Sequence, residues 1–114
     1  IEAIAHPVER VTVPGAMVSS GSEHYALEVK GDSMIDDHIQ SGDYVIVESR
    51  NVAENGETVV ALIDNDRATL KRFYRENGQI RLQPAHPDMK PIFVREGDFS
   101  IQGVVISVLR KFDR

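Results

Sequence analysis

Ser33 lies in the run Val29-Lys30-Gly31-Asp32-Ser33-Met34, and Lys71 lies in Ala68-Thr69-Leu70-Lys71-Arg72-Phe73. The two residue types can do covalent chemistry together. A serine hydroxyl is a poor nucleophile until a base takes its proton. A lysine amine is such a base when its surroundings keep it neutral. Few other routes to covalent chemistry exist in this chain. It has no cysteine, and its acidic residues and histidines suggest no ordinary triad. Each residue also has a plain structural reading. Ser33 could be a turn serine that caps the next backbone N–H groups. Lys71 could be a surface lysine whose stem lies along a hairpin.

The elements around these residues read as short strands and turns. Tyr25, Leu27 and Val29 alternate with Ala26, Glu28 and Lys30, the pattern of a half-buried strand ending at Gly31. Ser33 then falls at a strand-to-turn junction, and Met34 to Ile39 is the best candidate for a short helical turn. Ser41-Gly42-Asp43 predicts a turn before a strand from Tyr44 to Glu48. Asn55-Gly56 predicts another before Thr58 to Ile63. Asp64-Asn65-Asp66 reverses the chain into a strand from Ala68 to Tyr74, and Asn77-Gly78 reverses it again into Gln79 to Gln83. Alternation groups Lys71 with Thr69 and Phe73, and Leu70 with Arg72 and Tyr74. It does not say which group is buried.

Pro84 to Pro91 contains three prolines and cannot be a central strand. Ile92-Phe93-Val94 is a short edge strand at most. The last strand begins near Asp98-Phe99-Ser100-Ile101-Gln102-Gly103, with Gly103 marking a bulge or a close backbone approach. Val104, Val105, Ile106, Val108 and Leu109 put apolar groups on both faces. Such a strand is central or is covered by a second subunit. The opening residues are less regular, although Glu9 to Val13 could form one strand. The fold class expected is mainly β, with short, strongly bent strands and little helix.

The chain has 114 residues, the size of one domain. At this length roughly 60–68% of the unfolded surface is buried, enough for a core without disulfides. No apolar run is long enough to span a membrane, and no signal peptide opens the chain. Missing cysteine fits a reducing compartment, and a cytoplasmic location is expected. The formal charge is −5, from 13 basic and 18 acidic residues, which argues against nucleic-acid binding by this segment alone. His6, His24, His38 and His86 have no metal-ligand spacing, so neither metal nor cofactor is expected. Met34 either lines an apolar substrate groove or packs in the core. Lys71, Arg72 and Arg75 read first as a solvated hairpin face, with a protein contact as the alternative.

The ordered set of segments resembles the carboxy-terminal domain of LexA-type repressors over nearly the whole chain. Gly31-Asp32-Ser33-Met34 looks like the nucleophile motif, and Ala68-Thr69-Leu70-Lys71-Arg72 like the segment carrying the general base. Ser41 to Val47, Asn55 to Ala61 and Gly103 to Arg110 resemble segments between and after them. The resemblance implies a LexA and signal-peptidase-like β fold in which Ser33 is the nucleophile and Lys71 the general base and acid. The backbone amides of Ser33 and Asp32 would face the oxyanion. It implies self-cleavage at an Ala-Gly bond in a hinge, stimulated by RecA filaments on single-stranded DNA. It implies a homodimer, and operator binding by an amino-terminal domain this sequence lacks. Ile1 to Ala5 resembles the stretch just after the cut, so the bond would lie upstream of Ile1. Residues 1–24 would be a post-cleavage-site segment with an early strand, and residues 25–114 the catalytic and dimerisation region. Asp32 stands where several relatives carry a small or apolar residue, so its charge either bears on the lysine or points to solvent. The alternatives are a UmuD-like or phage-repressor self-processing domain, or a non-catalytic dimerisation module.

Overall fold

Alternating patterns become strands in the computed structural model, which describes residues 4–7, 13–18, 21–64 and 67–112. Eight strands form one antiparallel sheet: β1 (Ile4–Pro7), β2 (His24–Lys30), β3 (Tyr44–Ser49), β4 (Thr58–Ile63), β5 (Arg67–Glu76), β6 (Gln79–Gln83), β7 (Ile92–Val94) and β8 (Phe99–Leu109). Their spatial order is β1-β2-β3-β8-β4-β5-β6-β7, and β1 also meets β5. That extra contact, Ile4 opposite Thr69, curls the sheet back on itself. The helical content described is three short 3₁₀ turns, at Gly15–Met17, Ile35–Asp37 and Glu96–Asp98. The mainly β expectation holds.

The turns follow from residues that tolerate left-handed backbone. Asn77 and Gly78 both have positive φ, 51° and 76°. This is the geometry that lets a two-residue turn match the twist of its flanking strands, here β5 and β6. Gly31 has a φ of 98° and turns the chain sharply just before Asp32 and Ser33.

Strand β8 joins two halves. Residues Gly103 to Leu109 pair with β3, and Phe99 to Val104 pair with β4. The register slips by one residue between Ile46 and Val47 on one side, and between Val60 and Ala61 on the other. Both slips put the extra residue on β8, which bends it. Gly103 lies beside one slip and also at a close approach. A Cβ there would sit 2.4 Å from Val47 Cγ1 and 2.7 Å from the Glu48 carbonyl oxygen. The Tyr25 hydroxyl crosses the same spot to donate to the Gln102 carbonyl at 3.0 Å. Both expectations for Gly103 are met.

The core divides according to the pleat. Val60 and Leu70 pack with Leu27, Val29, Met34, Ile39, Val45 and Val47. Val59 and Ala61, which flank Val60, pack with Phe73, Ile80, Leu82, Ile101 and Val104. Successive side chains of β4 therefore serve opposite clusters, as a two-residue period requires.

Two differences concern the start of the chain and the last strand. A strand forms at Ile4–Pro7, paired with β2 through Ala5 opposite Val29. The expected strand from Glu9 to Val13 falls largely on residues 9–12, which lie outside the described residues, and Val13 is not in a strand. Of the reversal expected at Asp64-Asn65-Asp66, Asp64 is in a turn with a φ of 54°, and Asn65 and Asp66 lie outside the described residues. In β8, Val104 belongs to the core of its own chain, so it is not available to a partner's surface. Val105, Ile106 and Leu109 are half-buried, and Val108 is 37% exposed. Pairing with β4 ends at Val104 and pairing with β3 begins at Gly103, so among the described residues β8 is flanked on both edges at Gly103 and Val104, by β4 alone before them and by β3 alone after them.

Candidate active site

Ser33 follows directly from the end of β2. Lys30 closes the strand, Gly31 turns, and Ile35–Asp37 coils into the 3₁₀ turn. The Asp32 carbonyl accepts from the Ile35 amide at 3.1 Å, and the Met34 carbonyl from the Asp37 amide at 3.0 Å. The loop after β6 pins this turn from outside. The Ala85 amide donates to the Ser33 carbonyl at 2.8 Å, and the Asp36 amide donates to the Ala85 carbonyl at 2.8 Å. The proline-rich segment thus gives up ladder hydrogen bonds and makes two here instead.

Lys71 comes from β5, where the strand's outer edge is interrupted. β1 reaches β5 at Thr69, and β6 pairs with it from Arg72 onward. The Ser33 turn reaches Lys71 in the interval between them. Lys71 Nζ lies 3.2 Å from Ser33 Oγ, 2.7 Å from Thr69 Oγ1 and 3.0 Å from the Leu70 carbonyl oxygen. Ser33 is fully buried and Lys71 is 1% exposed. The question left open by alternation is answered: the Thr69, Lys71 and Phe73 group faces inward, and all three are buried.

A buried ammonium group is costly, because burial disfavors the charged form of an amine. The three oxygens within reach offset part of that cost. The same geometry suits a neutral amine that accepts the Ser33 O–H and donates to Thr69 and Leu70. The arrangement can therefore hold a proton at either the serine or the lysine, which is what acyl transfer by a serine asks of its base.

Charged neighbors flank the pair. Asp32 is half-exposed, and its Oδ2 lies 3.7 Å from His86 Nε2; His86 Nδ1 accepts from the Asp88 amide at 3.0 Å. Asp37 grips Arg72 through two contacts, Nε to Oδ2 at 2.8 Å and Nη2 to Oδ1. The hydrogen bond to Asp37 foremost, with help from Tyr74, holds the Arg72 guanidinium still more firmly in its charged form. Arg75 is likewise engaged, with Glu96 at 2.6 Å. The basic run of the hairpin is thus paired within the chain at both arginines.

Met34 is fully buried among Leu27, Val29 and Leu70, the packing alternative raised for it beside the groove. Among the described residues, no three His, Cys, Asp or Glu side chains gather as a metal site would require. No helix among them is long and apolar enough to cross a membrane. Sequence reasoning named Thr69 only as a face-mate of Lys71. It did not find the part played by the Ala85 peptide or by the Asp37–Arg72 pair. Only the Thr69 contact had a local signal, the two-residue spacing on one strand.

The chain matches the model of the Peptidase S24-like family over residues 1–106. It is 53% identical over 113 residues to a protein named LexA repressor from Syntrophotalea carbinolica, covering 98% of this chain and 54% of that relative. A LexA repressor from Koribacter versatilis is 48% identical, with 98% and 52% covered. One from Thermotoga neapolitana is 40% identical, with 98% and 54% covered. The chain spans about half the length of these curated relatives. With the model matched along nearly its full length, the chain belongs to the Peptidase S24-like family.

Proposed function

We propose that this chain is the self-cleaving domain of a LexA-like SOS repressor, and that Ser33 and Lys71 form its serine–lysine dyad. The observation that carries the reading is the 3.2 Å approach of Lys71 Nζ to Ser33 Oγ with both side chains buried. A non-catalytic dimerisation module has no need of that approach. The relatives' printed name favors a repressor over a UmuD-like protein.

In the proposed reaction, neutral Lys71 takes the Ser33 proton as Oγ attacks the carbonyl carbon of an Ala-Gly bond upstream of Ile1. The tetrahedral oxyanion faces the Ser33 and Asp32 amides. Backbone donors suit that task because they are fixed where charge develops. The C–N bond breaks, and Lys71 passes its proton to the leaving amine. Water then attacks the acyl-enzyme ester, Lys71 accepts its proton, and the proton returns to Ser33 Oγ. Each pKa unit by which burial depresses the lysine corresponds to about 1.4 kcal/mol. Docking of the hinge segment would complete the exclusion of water.

In the whole protein, RecA filaments on single-stranded DNA would stimulate the cut, and an amino-terminal domain would bind the operator as a dimer. Two-fold pairing suits recognition of two half-sites. The test restores the upstream hinge and compares self-cleavage of the wild type, Ser33→Ala and Lys71→Ala. Loss of cleavage in both variants is expected. Equal rates in all three would overturn the dyad.

A further inference from the structure

We propose that Asp37 and Arg72 are positioning residues that hold the Ser33 turn against the strand carrying Lys71. This rests on the dyad reading and deepens it. Asp37 ends the 3₁₀ turn that follows Ser33, and Arg72 is the next residue after Lys71. Their two contacts, Nε to Oδ2 at 2.8 Å and Nη2 to Oδ1, form a planar fork. Such a bidentate pair fixes orientation as well as distance.

The location gives the pair its consequence. Arg72 lies on the face of β5 opposite Lys71, and Thr58 is its partner across β4. Met34 and Ile39, on either side of Asp37, pack on that face with Leu70 and Val60. The turn therefore rests on one face of β5 while Ser33 reaches the amine that belongs to the other. Met34 anchors one end of the turn in the core. The fork at Asp37 restrains the other end against sliding along the strand. The Ser33–Lys71 contact at 3.2 Å is the longest of the three that Nζ makes, so it is the one most readily lengthened by a small slip. A displacement of about 1 Å can cost about a hundredfold in rate.

The pair is partly open to water: the Arg72 side chain is 43% exposed and that of Asp37 17%. Exposed ion pairs contribute little to global stability. The expected effect is thus on rate and not on folding, and this separates positioning from mere support.

The test uses the chain extended upstream through its hinge, without any stimulating partner. Self-cleavage is followed from neutral to alkaline pH in Asp37→Asn, Arg72→Gln and the exchanged pair Asp37→Arg with Arg72→Asp, and each urea midpoint is measured. Each single substitution should lower the high-pH plateau about tenfold with an unchanged urea midpoint. The exchanged pair should recover a large part of the loss. Wild-type plateaus in both single variants would overturn the proposal, as would losses that track the urea midpoints or an exchanged pair no faster than the single variants. Ser33→Ala and Lys71→Ala are run beside them. If those two cleave normally, the dyad reading fails; if they are inactive while the plateaus of Asp37→Asn and Arg72→Gln are normal, only the positioning role fails.

Discussion

Thr69 Oγ1 lies 2.7 Å from Lys71 Nζ, closer than Ser33 Oγ at 3.2 Å. The threonine holds the amine from the same strand face, two residues back. It is placed to aim Lys71 at the serine. Thr69→Val keeps the shape of the side chain and removes the acceptor. Self-cleavage of the hinge-restored chain should fall about tenfold, and Thr69→Ser should restore most of it. A Thr69→Val protein that cleaves at the wild-type rate would show that the amine is aimed by other contacts.

The pH dependence has a definite sign. Only neutral Lys71 can accept the Ser33 proton, so the rate should climb as pH rises from neutral and level off above the pKa of that amine. Single-turnover cleavage across this range, with the fold checked by circular dichroism, measures it. A flat profile while chemistry limits the rate would remove the lysine from the proton transfer.

Asp43 supplies a second pH dependence, in stability. The residue is 1% exposed, and its carboxylate accepts from Arg110 Nε at 2.7 Å, Arg110 Nη2 at 2.9 Å and the Gln40 amide at 2.8 Å. Burial pushes its carboxyl pKa up, but the Arg110 and Gln40 hydrogen bonds and the Arg110 charge together outweigh burial and leave it lowered. A carboxylate with a lowered folded pKa stabilizes the fold above its unfolded value, about 3.9. That contribution fades as pH falls through the folded value. Arg110→Met should cost about 1–2 kcal/mol at neutral pH, allowing for the partial exposure of Arg110. The gap from wild type should close in urea titrations carried below about pH 4. A gap that stays constant with pH would mean that Arg110 acts through packing or through its Nη2 hydrogen bond to the His38 carbonyl, at 3.0 Å.

Gly103→Ala tests the bend in β8. Its new methyl would meet backbone at the Glu48 carbonyl, 2.7 Å away, which cannot swing aside as a side-chain tip can. A loss of about 1–3 kcal/mol is expected, read from the urea midpoint. An unchanged midpoint would show that β3 can move away from β8 at little cost.

Val108 tests assembly. It is exposed on the half of β8 that pairs only with β3, and an unpaired strand edge invites a second copy. Sedimentation of the whole protein over a concentration series should show a dimer, and Val108→Glu should shift it toward monomer. A wild type that remains monomeric throughout would remove the assembly reading.

Much of this fold was legible because its signals are local. The strands Thr58–Ile63, Gln79–Gln83 and Ile92–Val94 appear with the bounds expected, each set off by turn residues or prolines. The Asn77-Gly78 turn requires only two neighboring residues. What stayed hidden depends on distant partners. β1 forms by pairing with β2 and by meeting β5 at Thr69, and no periodicity in four residues announces that. The inward direction of Lys71 was undecidable because Leu70 on the other face is equally buried. The grip of Asp37 on Arg72 joins residues 35 apart in sequence, and neither position looks unusual in its own segment.

Strand β8 bears on how the molecule comes apart. Its Gly103 and Val104 lie opposite both β3 and β4, so the halves on either side share a border and have no seam of loop between them. At that crossing neither half can release β8 without loosening residues that the other also holds. Solvent exchange of backbone protons should therefore be slowest at this crossing and should require opening of the entire sheet. The Ser33 turn hangs from one half, through β2, and Lys71 from the other, through β5. Their meeting consequently reports on the integrity of the whole molecule, and partial opening anywhere along that border silences the pair before the chain has fully unfolded.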